Sequence, residues 1–155
     1  SLIIGGSQEE NKRAGTENVA GIAGLGEAAK LIYENLNKRM NHLIELEALF
    51  KDEVNKLNLS IVYNGDPNNH APGLISISFP GNRSDILLAK LDRNGIELSN
   101  GSACGSGITK PSPVLKAMGI SDEDNLSTLR ISFGRSNTKD DIHQLVKEIG
   151  LIIND

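Results

Sequence analysis

Two segments of alternating apolar and polar residues constrain the fold of this chain more than any other feature. They are LISISF at positions 74–79 and LSTLRISF at positions 126–133. Successive side chains of a strand point to opposite faces, so each segment predicts a β-strand with one buried and one polar face. Strands of this kind are typical of antiparallel sheets that carry helices on one side only.

The rest of the chain predicts further strands and several helices. Apolar residues recur every three or four positions between Ile22 and Leu57, with one break near Glu47, and predict a long helix with Thr16 as its N-cap. This stretch could be one helix or two with a kink at Asn35 and Asn37. Short strands are predicted at LSIVYNG and IEL, and further helices after Ser84, Ser112 and Thr138. Together these elements predict an α+β domain with a small, mostly antiparallel sheet, helices packed on one face and a long preceding helix.

The single cysteine, Cys104, stands in SNGSACGSGITKPSPVL, between a predicted strand and a predicted helix. A structural cysteine usually has apolar neighbours, whereas this one has glycine and serine. We expect a mobile loop at about residues 99–110, in which the thiol could move by roughly 20 Å and visit two places. The alternative is an idle or buried cysteine in a turn. One cysteine excludes an internal disulfide and fits a reducing compartment such as the cytoplasm.

Three further residues are candidates for ligand binding. Arg130 stands on the polar face of its strand, where its planar guanidinium suits a carboxylate or a phosphate, or forms a surface ion pair. Gly15 and Thr16, in RAGTEN, could hold a phosphate at a helix N-terminus or serve as a plain helix cap.

Composition argues against several classes of partner. The net charge of −4, with no basic stripe, argues against nucleic acid. No apolar run approaches the roughly 20 residues of a membrane span. The three histidines and the cysteine do not have metal-ligand spacing, so no metal site is expected; His70, in NNHAPG, is interpreted as a turn residue.

Three motifs together resemble one enzyme family. GGSQEENKRAGTENVAGIAGLGEA, SNGSACGSGITKPSPVLKAMGIS and LRISFGR occur in the order typical of cysteine desulfurases. That family comprises pyridoxal-phosphate enzymes of the class V aminotransferase type, with the aspartate-aminotransferase-like (type I) fold. The resemblance covers nearly the whole chain but only the C-terminal portion of such an enzyme.

The resemblance implies roles for four residues. Cys104 matches the nucleophile that becomes a persulfide, and Arg130 matches the arginine that binds the substrate carboxylate. Thr16 matches a threonine that reaches the cofactor phosphate from the neighbouring subunit of a homodimer, and the Gly15 backbone is expected to assist. The implied substrate is L-cysteine, and the implied partner is a sulfur acceptor or iron–sulfur scaffold protein.

The chain also departs from the family pattern. Ser7 replaces a usual glycine, and Gly105 follows the cysteine where a polar residue is common. None of its lysines has the S-x-H-K setting of the family's Schiff-base lysine. We therefore expect residues 1–36 to be the end of a large cofactor domain and residues 37–155 to be the small domain. On this basis the chain alone is expected to bind no pyridoxal phosphate and to be inactive.

Two alternative functions stay open at this point. One is a selenocysteine lyase-like enzyme, which also combines a pyridoxal-phosphate core with a mobile cysteine. The other is a non-catalytic α+β binding module whose cysteine is incidental.

Overall fold

The computed structural model describes residues 3–101 and 110–154, so Cys104 and its neighbours at 102–109 lie outside the described residues. The chain divides into two compact units, residues 1–38 and 39–155. The functional division predicted after residue 36 stays a prediction. In chain order, the elements are α1 (Gln8–Asn11), α2 (Val19–Lys56), β1 (Val62–Asn64), β2 (Leu74–Ser78), α3 (Ser84–Arg93), β3 (Ser99–Asn100), α4 (Pro113–Ala117), α5 (Asp122–Leu126), β4 (Thr128–Ser132) and α6 (Lys139–Ile153).

The four strands form one antiparallel sheet in the order β1-β2-β4-β3. The two segments of alternating residues are its central strands, and they pair along their whole length. This sheet with its helices confirms the predicted α+β fold class. The buried face carries the apolar residues of both strands, and helices α2, α3 and α6 pack there through Leu46, Phe50, Val54, Leu87, Leu91, Ile142, Leu145, Val146 and Ile149.

Two local predictions are wrong in detail. The strand predicted at IEL lies instead at Ser99–Asn100, directly after that segment, because Ser99 and Asn100 are the residues that pair with β4. The N-cap of α2 is Asn18 rather than Thr16, since the Asn18 Oδ1 accepts a hydrogen bond from the Gly21 N–H at 3.0 Å. A side chain at Gly21 would collide with this cap, which explains one of the glycines near the start of the helix.

Helix α6 follows Thr138, as predicted, and begins with a capping box. The Thr138 hydroxyl accepts from the Asp141 N–H, and the Asp141 carboxylate accepts from the Thr138 N–H at 2.8 Å. The hydrogen bond from the Thr138 backbone lowers the pKa of Asp141.

Removing the hydroxyl in a Thr138→Ala variant is expected to lower the free energy of unfolding by about 1 kcal/mol, because the first turn of α6 loses a hydrogen-bond acceptor. Urea unfolding of the 155-residue chain measures this loss. A Thr138→Ser variant keeps the hydroxyl and serves as the control. An equal loss in both variants would contradict the assignment of the cap.

Candidate functional site

A row of polar residues crosses the open face of the sheet. In the strand register, Asn64 of β1 pairs with Ser76 of β2, Ser76 pairs with Arg130 of β4, and Arg130 pairs with Ser99 of β3. Directly paired residues lie on the same face of a sheet, so one row contains all four residues. The pairing therefore places Arg130 between two serines, on the face opposite the apolar core.

Arg130 is exposed, and among the described residues no acidic side chain forms an ion pair with it. The part of the chain that the structure describes thus gives no support to a surface ion pair. Arg130 lines a cavity of about 360 Å³, which is large enough for a small metabolite. One wall is polar and the other apolar, and the other lining residues are Asn64, Ser76, Gly101, Ser112, Pro113, Val114, Leu115, Met118 and Thr128.

A chain of hydrogen bonds fixes the polar wall of this cavity. The Asn64 amide donates to the Ser78 hydroxyl at 2.9 Å, and Ser78 bonds to the Thr128 hydroxyl at 2.7 Å. Thr128 in turn donates to the backbone carbonyl of Asp124 at 2.7 Å. Each hydroxyl of this series of hydrogen bonds has a partner, and Arg130 is the cationic side chain among the described residues that line the cavity.

Both ends of the cysteine segment border the same cavity. Gly101 and Ser112 line the cavity, one before and one after residues 102–109. A methyl group added at Gly101 would lie 3.7 Å from the carbonyl oxygen of Lys110, so the chain leaves and returns at neighbouring points. The structure thus brings Arg130 together with the two ends of the segment that contains Cys104.

Gly15 and Thr16 lie in the first unit, in a turn organised by Arg13. The Arg13 Nη1 donates to the carbonyl oxygens of Gly15 and Thr16, at 3.0 and 3.4 Å, and pairs with Glu17 at 2.9 Å. Thr16 is exposed, and Gly15 has φ of +96° with open space beside it. The exposed Thr16 hydroxyl fits the binding of a phosphate group, whereas the Gly15 N–H donates to the Gln8 Oε1 at 3.4 Å and the Arg13 guanidinium is paired with Glu17.

A buried carboxylate with partly exposed cationic partners lies elsewhere in the second unit, and the sequence analysis did not predict it. Glu47 is 6% exposed and accepts hydrogen bonds from Lys51 at 2.6 Å, from His70 at 2.7 Å and from the Gly73 N–H at 2.9 Å. Burial raises the pKa of Glu47, but the hydrogen bonds from Lys51, Gly73 and His70 outweigh it, so the pKa lies below the ordinary value.

The signal for this cluster was the break in the apolar pattern of α2. Position 47 lies four residues after Leu43, where another apolar residue was due, and it is a glutamate. A charged residue on the buried face of a helix needs a partner. The partners here are Lys51, His70 and the Gly73 N–H, so His70 has an electrostatic role in addition to its place in a turn.

Residues 3–101 and 110–154 contain neither a group of potential metal ligands nor a helix suited to a membrane. Within these ranges, no three histidine or acidic side chains converge as metal ligands would. No helix there combines the length and the apolar composition needed to cross a membrane.

The chain matches the Aminotransferase class-V family over residues 6–145. It is 41% identical over 152 residues to the cysteine desulfurase IscS of Dictyoglomus turgidum, which covers 98% of this chain and 39% of that protein. It is 39% identical over 155 residues to the cysteine desulfurase IscS of Clostridium botulinum strain Hall, covering 99% of this chain and 39% of that protein. The chain thus spans about 40% of the length of the curated relatives it matches.

Solved structures give the same result for the fold. A NifS-like protein from Rickettsia africae superposes with a TM-score of 0.84 at 28% identity, covering 99% of this chain and 40% of that protein. The cysteine desulfurase CsdA of Escherichia coli superposes with a TM-score of 0.71 at 26% identity, covering 92% of this chain and 32% of that protein. The likeness extends over both described units of the chain.

Proposed function

The chain belongs to the aminotransferase class-V family, and from this premise we propose that it is part of a cysteine desulfurase, which converts L-cysteine to L-alanine and passes the sulfur to an acceptor. The relatives named cysteine desulfurase IscS, which align over nearly the whole chain, support this proposal. The observation that carries it is structural. Arg130, which has no acidic partner among the described residues, lines a cavity that is bordered by both ends of the Cys104 segment.

Arg130 binds the substrate in this proposal. Its guanidinium donates two parallel hydrogen bonds to the substrate carboxylate, and the neighbouring serines on the sheet face bear no competing charge. Fixing the carboxylate orients the rest of a small amino acid and brings its sulfur within reach of a tethered nucleophile.

Cys104 is the nucleophile. Its thiolate attacks the sulfur of the substrate, so a sulfur–sulfur bond forms as the carbon–sulfur bond breaks. The carbon keeps the electron pair of the broken bond, takes up a proton and leaves as alanine, while Cys104 carries a persulfide. The outer sulfur then passes to an acceptor thiol in a step that resembles disulfide exchange.

Pyridoxal phosphate, when bound, supplies the electron sink that this chemistry requires. Gly15 and Thr16 are the residues of this chain that would hold its phosphate, and their exposure fits that role. The lysine that attaches the cofactor has no match here, so we propose that the chain alone is inactive and that the complete protein works as a cytoplasmic homodimer. An iron–sulfur scaffold protein is the proposed sulfur acceptor.

Mass spectrometry of Cys104 tests the proposal. After the complete protein is incubated with free L-cysteine, Cys104 is expected to gain the mass of one sulfur atom and to lose it on reduction. A Cys104→Ser variant is the control for sulfur bound elsewhere. A wild-type protein that gains no sulfur at Cys104 would reject the proposal and favour a binding module. Faster turnover with selenocysteine than with cysteine would favour the lyase-like alternative.

A further inference from the structure

The side chain of Asn125, near the end of α5, holds the chain just after the cysteine segment. The Ser112 N–H donates to the Asn125 Oδ1 at 2.7 Å, and the Asn125 Nδ2 donates to the Ser112 carbonyl at 2.9 Å. Asn125 is 4% exposed and Ser112 is 8% exposed. One amide thus satisfies both backbone groups of a buried residue, as a neighbouring strand would.

The other end of the segment is tied to the residue next to Asn125. Asn100, in β3, donates to the Ser84 hydroxyl at 3.2 Å, and Ser84 donates to the backbone carbonyl of Leu126 at 2.8 Å. β3 is also paired with β4, the strand of Arg130. Two consecutive residues, Asn125 and Leu126, therefore hold the chain on both sides of residues 102–109.

Helix α5 is itself well anchored. The Ser121 hydroxyl caps its first turn by accepting from the Asp124 N–H at 3.0 Å. At its end, the hydroxyls of Ser127 and Thr128 both donate to the Asp124 carbonyl, at 2.8 and 2.7 Å. Because Thr128 begins β4, the same bonds connect α5 to the strand that carries Arg130.

We propose that Asn125 is a positioning residue for sulfur transfer, and that it fixes the point at which the Cys104 segment rejoins the fold. This inference rests on the proposed function. Asn125 acts through Ser112 and is not among the residues that line the Arg130 cavity. Cys104 stands three residues after Gly101 and eight before Ser112, so the described fold holds the chain on both sides of it. Because Ser112 is one of these two anchor points, a shift of Ser112 is expected to change where the thiol can reach, and small displacements of a reacting group cost much rate.

The test compares Asn125→Leu with wild type in the complete protein. Leucine has the same branched outline, with two larger methyl groups, but makes neither bond to Ser112. The single-turnover rate of persulfide formation on Cys104 is expected to fall about tenfold, whereas the KM for L-cysteine stays within about twofold because Arg130 is untouched. An Asn125→Asp variant keeps only the acceptor for the Ser112 N–H, and an intermediate rate is expected. This second variant also carries the test if the leucine variant does not fold.

Thr138→Ala is the control for a general loss of stability, since the cap of α6 touches neither end of the segment. Its rate of persulfide formation is expected to equal that of wild type. Equal rates in wild type, Asn125→Leu and Asn125→Asp would overturn the inference while leaving the proposed function intact. A fall in rate matched by a rise in KM would also overturn it, since the substrate site itself would then be damaged. A wild-type protein that forms no persulfide would reject the proposed function instead.

Discussion

Replacing Arg130 with glutamine is expected to lower kcat/KM for L-cysteine about 100- to 1000-fold in the complete protein. Hydrogen bonds to a charged group contribute about 1.5–3 kcal/mol each, and a carboxylate accepts two from a guanidinium. Loss of about 3–4 kcal/mol corresponds to two or three powers of ten in the specificity constant. Steady-state kinetics measured over a range of L-cysteine concentrations checks the prediction, and most of the change is expected in KM.

Two controls separate this effect from a general loss of positive charge. An Arg130→Lys variant keeps the charge but loses the planar pair of donors, so it should recover only part of the activity. Arg93 is exposed at the end of α3, and Arg93→Gln should leave kcat/KM unchanged. If Arg130→Gln kept near wild-type activity, Arg130 would not bind the substrate carboxylate.

The parts of the fold that the sequence predicted are those set by local patterns. β2 and β4 follow from strict alternation, since a strand with one buried face needs an apolar residue at every second position. α6 follows from its capping box and its regular apolar face. In each case the pattern that predicts the element lies within the residues that form it.

The missed features depend on partners that are distant in sequence. Ser99 and Asn100 form a strand only because β4 lies beside them, and their own types do not favour a strand. The N-cap of α2 was misplaced by two residues, because Thr16 and Asn18 are both good capping residues and only the backbone geometry decides between them.

The candidate site shows the same limit. Arg130 was recognised as a ligand-binding candidate because it interrupts small polar residues on a strand. The neighbours of Arg130 were not predicted. Asn64 and Ser99 share its row because of the strand register, and the two ends of the cysteine segment meet beside it only in the folded chain. The sequence pattern thus predicted the candidate groups, whereas the cavity beside Arg130 follows only from the tertiary structure.

Replacing Glu47 with glutamine is expected to lower the free energy of unfolding by about 3 kcal/mol near pH 7. Glu47 is the buried acceptor shared by Lys51, His70 and the Gly73 N–H. Glutamine has nearly the same shape, but it is neutral and has one acceptor oxygen, so the Lys51 ammonium loses its counter-charge and a buried donor loses its partner. Urea unfolding of the 155-residue chain measures the loss.

The pH dependence of this loss identifies its cause. The pKa of Glu47 lies below its ordinary value of 4.5 in the folded chain, so its stabilisation is fully present above about pH 4.5 and is lost as the pH falls through the folded value. The difference in the free energy of unfolding between wild type and Glu47→Gln should therefore be largest at neutral pH and shrink in acid.

Glu53→Gln is the matched control, since Glu53 lies on the same helix and pairs with Lys56 but is more exposed. Its effect should stay below about 1 kcal/mol. A loss in Glu47→Gln that is the same at pH 7 and in acid would show that packing, and not the buried charge, accounts for the stability.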